Sequence, residues 1–415
     1  MYRNKIIYVL FTLFLSQLSF AQNNTNSPYT MFGYGDVRDG YSGEQRAMGG
    51  LAIGARSKTD INTLNPASYS SVDSMTFMFD LGTSVLVSSF NSTNGYNSKL
   101  NANIEYLTMQ FPLSKNLGFS MGVLPYSFSG YSFYSTEYMP FELYPDTVTT
   151  TRTFYGNGGI AQVYSGLALK LFNHISLGVN AYYMFGSSVN TRYLSFSQSD
   201  FYSSVQKDSI TVHNFRFRYG LQFWNTFNKK HDVSIGVIYE PKKKMSATYS
   251  QITGSVDDVE VPSQEAFSDF ETPEIYGAGL NYRYNNKLTL GFDYSLQKWA
   301  DAKFFGKTDT LNNRSKFVLG AEYIPSERGR RYFDRVHYRA GLSMSDAYYK
   351  LDGATQPKNY GISFGMGLPL KNSNTLVNTT FEFGKVGANS LLSETYFKFT
   401  LNAVFNENWF FKRKL

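Results

Sequence analysis

The chain has 415 residues, with 39 Lys and Arg against 32 Asp and Glu and no cysteine. A basic excess this mild and this dispersed excludes the clustered positive face that nucleic-acid binding needs, and the lack of cysteine excludes a disulfide framework or a lipidated N-terminus. Aromatic residues say more: 36 Phe and 33 Tyr against 3 Trp, distributed along the chain as in the girdles and lipid-facing bands of membrane barrels.

Arg3 and Lys5, the apolar run from Ile6 to Leu15, and Ser19, Phe20 and Ala21 read as a secretory signal over residues 1–21, cleaved before Gln22. Setting its two basic residues aside leaves 37 Lys and Arg against 32 acids. Residues 22–71 are rich in Gly, Asn and Ser and lack sustained alternation. They carry the apolar anchors Tyr29, Met31, Phe32, Met48, Leu51 and Ile53. The segment is short for an independent domain and too apolar for disorder, so a hatch or plug inside a barrel is expected.

From residue 72 to 415 the pattern is apolar–polar alternation at period two, the signature of half-buried strands. Fourteen strands are expected at about 72–90, 99–113, 116–135, 158–172, 174–196, 211–228, 230–251, 273–285, 286–306, 313–326, 332–350, 358–370, 373–388 and 392–411. Connections after even strands are tight and polar, such as Asn285 with Asn286, whereas 136–157 and 251–272 after odd strands are long. Short turns belong to the periplasmic end and long loops outside. The basic turn around Arg328, Arg330 and Arg331 is the longest on the periplasmic side. In the ninth strand Leu288, Leu290, Phe292, Tyr294 and Leu296 should face lipid, with Thr289, Gly291, Asp293 and Ser295 inward. The fourteenth should place Phe397, Phe399, Leu401 and Phe405 outward, and Lys398, Thr400 and Asn402 inward. The fold class is therefore an all-β, transmembrane antiparallel barrel of about fourteen strands, in the outer membrane of a Gram-negative bacterium and in contact with its lipid.

Three local features stand out. In the third strand the outward phase of Leu117, Phe119, Met121 and Val123 changes parity at Leu124, Pro125 and Tyr126; proline cannot donate to a ladder, so a bulge or kink is expected there. Pro241 breaks the seventh strand, and Lys242 and Lys244 should share one face, candidate luminal contacts for a carboxylate headgroup or partners for luminal acids such as Asp293. Within the N-terminal segment, Arg46 and Asn65 are candidates for hydrogen bonds to the wall, and Gly49 and Gly50 for close backbone approach. Asp36 and Asp39 before Gly40 lack the alternating acids of a calcium loop. His174, His213, His231 and His337 are scattered, so neither catalysis, nor a metal, nor a cofactor is expected.

Arg46-Ala47-Met48-Gly49-Gly50, Leu64-Asn65-Pro66-Ala67, the stretch from Gly158 through Ala181, and Thr272-Pro273-Glu274-Ile275 leading to Trp299 resemble the long-chain fatty acid transporter (FadL/TodX) family of outer-membrane barrels. The resemblance spans most of the chain as pattern more than identity. It implies a hatch containing Arg46, Gly49, Gly50, Asn65 and Pro66, and a lateral gate at Leu124, Pro125 and Tyr126. It also implies passive uptake of small hydrophobic, fatty-acid-like compounds by hatch movement and lateral exit. The same architecture is similar to the type IX secretion barrel, which handles protein cargo. The shorter outer connections here keep a second function open, a non-transporting subunit of an outer-membrane secretion or assembly complex with protein partners.

Overall fold

Strand-forming residues at period two close the chain into a single antiparallel wall. The computed structural model describes residues 24–408 apart from 93–94, 140–147, 199, 256–262, 352–355, 372–374 and 388–391. The expected signal at 1–21 and the terminal aromatics from Trp409 onward lie outside the described residues. A two-residue strand, β1 (Asp36–Val37), belongs to the N-terminal segment. The wall begins with β2 (Thr76–Ser92), β3 (Gly95–Pro112), β4 (Leu117–Met139), β5 (Val148–Leu171), β6 (Ile175–Phe196) and β7 (Ser204–Phe227). It continues through β8 (His231–Glu240), β9 (Lys243–Ser255), β10 (Ser263–Thr272), β11 (Glu274–Tyr284) and β12 (Leu288–Lys298). It ends with β13 (Arg314–Tyr323), β14 (His337–Asp346), β15 (Lys358–Pro369), β16 (Leu376–Val386) and β17 (Ser393–Asn408).

Pairing of β17 with β2, from Ser393 opposite Asn91 to Asn408 opposite Thr76, closes the barrel. Pro241 and Pro273 each remove one ladder donor and divide a long strand in two. Both halves keep the same neighbours, since β7 pairs with β8 and β9 while β11 and β10 pair with them on the other side. Counting β8–β9 and β10–β11 as single crossings gives fourteen transmembrane strands.

At one end the hairpins are tight. Asn285 and Asn286 both hold φ of 53°, as do Asn228 and Lys229 at 48° and 56°, the left-handed geometry that two-residue hairpins require. The wall is much taller over β4–β7, at 22 to 24 residues each, than over β12–β14, at 10 or 11. About 9–11 residues suffice to cross a bilayer, so β4–β7 project beyond it on the side of the long connections.

That projection corrects the expected outer loops. Much of 136–157 and 251–272 is strand, and β7 starts at Ser204 rather than 211. Val148, Thr149, Thr150, Thr151, Thr153, Phe154 and Tyr155 are β-branched or aromatic, and their strand preference outweighs the polarity that reads as loop. In the other direction, β12 stops at Lys298, and Trp299 to Asn313 form an irregular outer connection.

Facing follows the alternation. Leu290 and Phe292 of β12 are exposed to the surroundings while Thr289 and Asp293 are buried, and Phe397, Leu401 and Phe405 of β17 point out while Lys398, Thr400 and Asn402 are buried. Residues 25–72 lie largely within the barrel, where Tyr29, Tyr34, Met48, Leu51, Ala52, Ile53, Ile61, Leu64, Ala67 and Tyr69 are all buried. This segment contains one short helix, α1 (Gly43–Ala47), capped by Ser42 and Gln45, which hydrogen-bond each other's backbone.

Candidate functional site: the filled lumen and the break in the wall

The segment inside the barrel is fixed by charge as much as by packing. On β12, the Asp293 carboxylate accepts from the amides of Ala52 and Ile53 at 2.7 Å and of Gly54 at 3.3 Å. On β3, a bulge opposite Gly82 and Thr83 turns Glu105 and Tyr106 both inward. Glu105 there meets Arg46 at 2.8 Å and Lys398 at 2.5 Å, with all three buried. On β14, Arg339 binds Glu322 at 2.6 Å and Glu44 of α1 at 2.9 Å. Nearer the outer end Asp39 meets Arg314 at 3.2 Å and Lys316 at 2.7 Å. Burial opposes the Asp39 charge, but the two cations prevail and hold its carboxyl well below the usual range.

Asp60 lacks such a cation among the described residues. Asp60 accepts from Gln45 at 2.9 Å, while its second oxygen and one oxygen of the nearby Asp80 have no hydrogen-bond partner among the described residues. Burial, reinforced by Asp80, pushes Asp60 up to about 7.

Small residues let backbone meet backbone. A Cβ on Gly236 would lie 1.9 Å from the Ile53 carbonyl oxygen, and one on Gly341 2.1 Å from the Gly49 nitrogen. Gly49 and Gly50 hold φ of +71° and +96°, and the Gly49 amide donates to Ser363 at 2.8 Å. Asn65 ties the segment to itself, donating to the Ile53 carbonyl at 2.7 Å and accepting from Ala67 at 3.1 Å to cap the turn that starts at Pro66. Arg46, Gly49, Gly50, Asn65 and Pro66 thus all sit where the segment meets itself or the wall.

At the outer mouth an aromatic cluster closes over the segment. Tyr34 packs against Trp299 at 5.7 Å and Phe304 at 5.1 Å, and Trp299 against Tyr348 at 4.8 Å. Below it lies a cavity of about 210 Å³, lined by Arg38, Arg46, Arg314, Lys316 and Lys398 facing Asp36, Asp39, Glu382 and Glu394. A larger cavity, about 830 Å³, is lined at the tight-turn end by Arg56, Lys58, Lys115 and Trp224.

The wall itself parts between β3 and β4. These strands are in register only over Leu107–Pro112 and Gly118–Val123. Beyond that, the β4–β5 register shifts between Pro125 and Ser127, and Tyr126 through Tyr131 are buried without alternation, so β4 bends into the lumen. Its inner edge is taken by the N-terminal segment: β1 pairs with Ser127 and Phe128, the Arg38 amide donates to the Tyr126 carbonyl at 2.8 Å, and Thr30 bonds Gly130. Leu124 and Tyr126 are buried at this bend.

Lys242 and Lys244 are placed differently from the luminal headgroup contacts expected of them. Both are exposed, neither lines the cavities described above, and Lys242 reaches Glu271 at 3.4 Å. The interruption at Pro241 decides this by ending β8 before them. Asp293, the expected partner, is already saturated by backbone amides. Glu105, Glu322 and Arg339 went unnoticed in the sequence; only the doublet Glu105-Tyr106, which breaks alternation, signals the first.

The BamG family profile matches residues 1–415. The chain belongs to the BamG family. No curated protein matches its sequence. Among solved structures, this BamG-family chain is similar to the CymD monoaromatic hydrocarbon channel, at 14% identity and TM-score 0.59, covering 91% of this chain and 99% of that one. It is similar to the Ralstonia pickettii toluene transporter TbuX, at 13% identity and TM-score 0.60, covering 89% and 99%. The P. putida toluene transporter TodX aligns at 13% identity and TM-score 0.58, covering 89% and 99%. At such identity the likeness shows the fold: the BamG-family chain is an outer-membrane β-barrel of FadL type. These neighbours are a monoaromatic hydrocarbon channel and two toluene transporters.

Proposed function

We propose that this barrel is a non-transporting, membrane-embedded subunit of an outer-membrane protein secretion or assembly complex, working through its wall instead of its lumen. The observation that carries this reading is the filled lumen. Residues 24–75 act as a fixed hatch, tied to β3, β13 and β14 by buried ion pairs and to β12 by amide–carboxylate bonds. Breaking a buried pair strands a charge at about 3–5 kcal/mol, so hatch movement has to break several such contacts together. The cavity left beneath the aromatic lid sets five cations and four acids beside Tyr29, Leu86, Tyr349 and Val386, so an apolar solute there would have to bury charged groups as well as apolar ones. The protein reaches the outer membrane after its signal is removed.

A second reading, passive uptake of small hydrophobic compounds with lateral exit at Leu124, Pro125 and Tyr126, is favoured by the parting of β3 and β4 and by the hydrocarbon and toluene channels that share the fold. Purification of the tagged protein from native membranes in mild detergent, with mass spectrometry of all proteins and lipids that accompany it, separates the two. Stoichiometric protein partners without an enriched apolar small molecule are the expected result. A lone barrel retaining fatty acids or aromatic hydrocarbons would replace the first reading with the second.

A further inference from the structure

The two sides of the break are unequal. On the β4 side the N-terminal segment supplies backbone and hydroxyl partners from Tyr126 to Gly130. On the β3 side, residues 102–106 have β2 on one flank, and among the described residues the N-terminal segment meets this strand through side chains: Asn103 donates to the Asn24 carbonyl and Asn26 to the Asn101 side chain, both at 2.8 Å, while Arg46 pairs with Glu105. The backbone from Ala102 to Tyr106 has no ladder partner on that flank among the described residues. Leu100, Ala102 and Ile104 are exposed on the lipid-facing side, continuing the outward row of Leu107. A sheet edge is thus open beside an apolar surface, where neither hydrocarbon nor water-free lipid can satisfy N–H and C=O groups.

We propose that this edge of β3 receives an extended strand from a partner protein, which continues the ladder β17–β2–β3 and fills the break outside the N-terminal segment. An apolar solute has no hydrogen-bonding groups to offer the edge; a peptide backbone has both kinds at the required spacing. The β1–β4 pairing shows that the opposite lip of the same break already binds an extended strand in this way. From Ala102 to Tyr106 the edge spans roughly 13 Å at about 3.3 Å per residue. The partner segment alternates: apolar residues toward lipid beside Leu100 and Ile104, small polar residues toward Asn101 and Asn103. This inference rests on the subunit reading.

The test uses the full-length protein in its native membrane, with a photo-crosslinking amino acid placed singly at Leu100, Ala102 or Ile104 and, as controls, at Leu290 and Phe364 on other lipid-facing strands. The three edge positions are expected to join one short segment of one partner, the attachment point moving two residues along it for each two-residue step on β3. Adducts scattered over several proteins, adducts with lipid alone, or equal yields at the control positions would overturn the assignment. If partners co-purify but attach only at the controls, the edge assignment falls and the subunit reading stands. If nothing co-purifies and nothing attaches, both fall.

Discussion

A single carboxylate, Asp293, holds three consecutive amides of the luminal segment. Each amide stranded without an acceptor costs about 1–3 kcal/mol. Asp293→Ala is therefore expected to leave the barrel inserted while exposing residues near Ala52 to protease, read by limited proteolysis of the intact outer-membrane protein; an unchanged digestion pattern would show the other contacts suffice. Asp60 makes the seating pH-dependent. Its proton affinity rises from an ordinary 3.8 to about 7 on docking. The docked form therefore gains relative stability that is fully present below 3.8 and is lost as pH climbs through about 7. Protection of residues 24–75 from proteolysis should weaken between pH 5 and 8, and Asp60→Asn should lessen that dependence, the remainder resting on Glu44, which burial likewise raises to about 7. The Asp39 contribution does not interfere, because its transition lies below the usual carboxylate range.

At the scale of elements, the kinked strand is the point of choice. Pro125 withdraws a donor where β4 leaves β3, and the bent stretch is then captured by β1 and Thr30 from inside. Pro125→Val restores both the donor and strand preference, so β4 should straighten and extend its register with β3 beyond Val123. Slowed amide exchange at residues 102–106 would report this, and uptake or complex formation should fall with it. Exchange as fast as in the parent protein would show that the N-terminal segment, not the proline, holds the bend. Parity arguments foresaw a disturbance at this place because the outward phase of Leu117 to Val123 is lost at Tyr126. They missed the rising height of β4–β7, since Thr-rich sequence looks equally like loop and strand until it finds a neighbour.

On the scale of the molecule, closure is carried by two separate seals: ion pairs along the lumen and the aromatic lid of Tyr34, Trp299 and Tyr348. A planar bilayer holding the native protein should show no steady conductance, and Glu105→Ala, which strands Lys398 and leaves Arg46 only its longer contact to Glu382 at 3.8 Å, should raise intermittent openings. A steady ion current through the native barrel would contradict the sealed lumen.

Alternation at period two, fixed by where successive side chains point in a strand, was enough for the sequence by itself to determine the barrel, its fourteen crossings, the inward and outward faces of β12 and β17, and the tight Asn turns. Such information is local. Which acid met which base was not, because Arg46 and Glu105, or Glu44 and Arg339, come together only when the N-terminal segment lies across strands far away in the chain. The same holds for the break in the wall: Pro125 marks a disturbance in the sequence, but only the tertiary structure decides that β4 turns inward, that the N-terminal segment takes one lip, and that the edge of β3 is left to another partner.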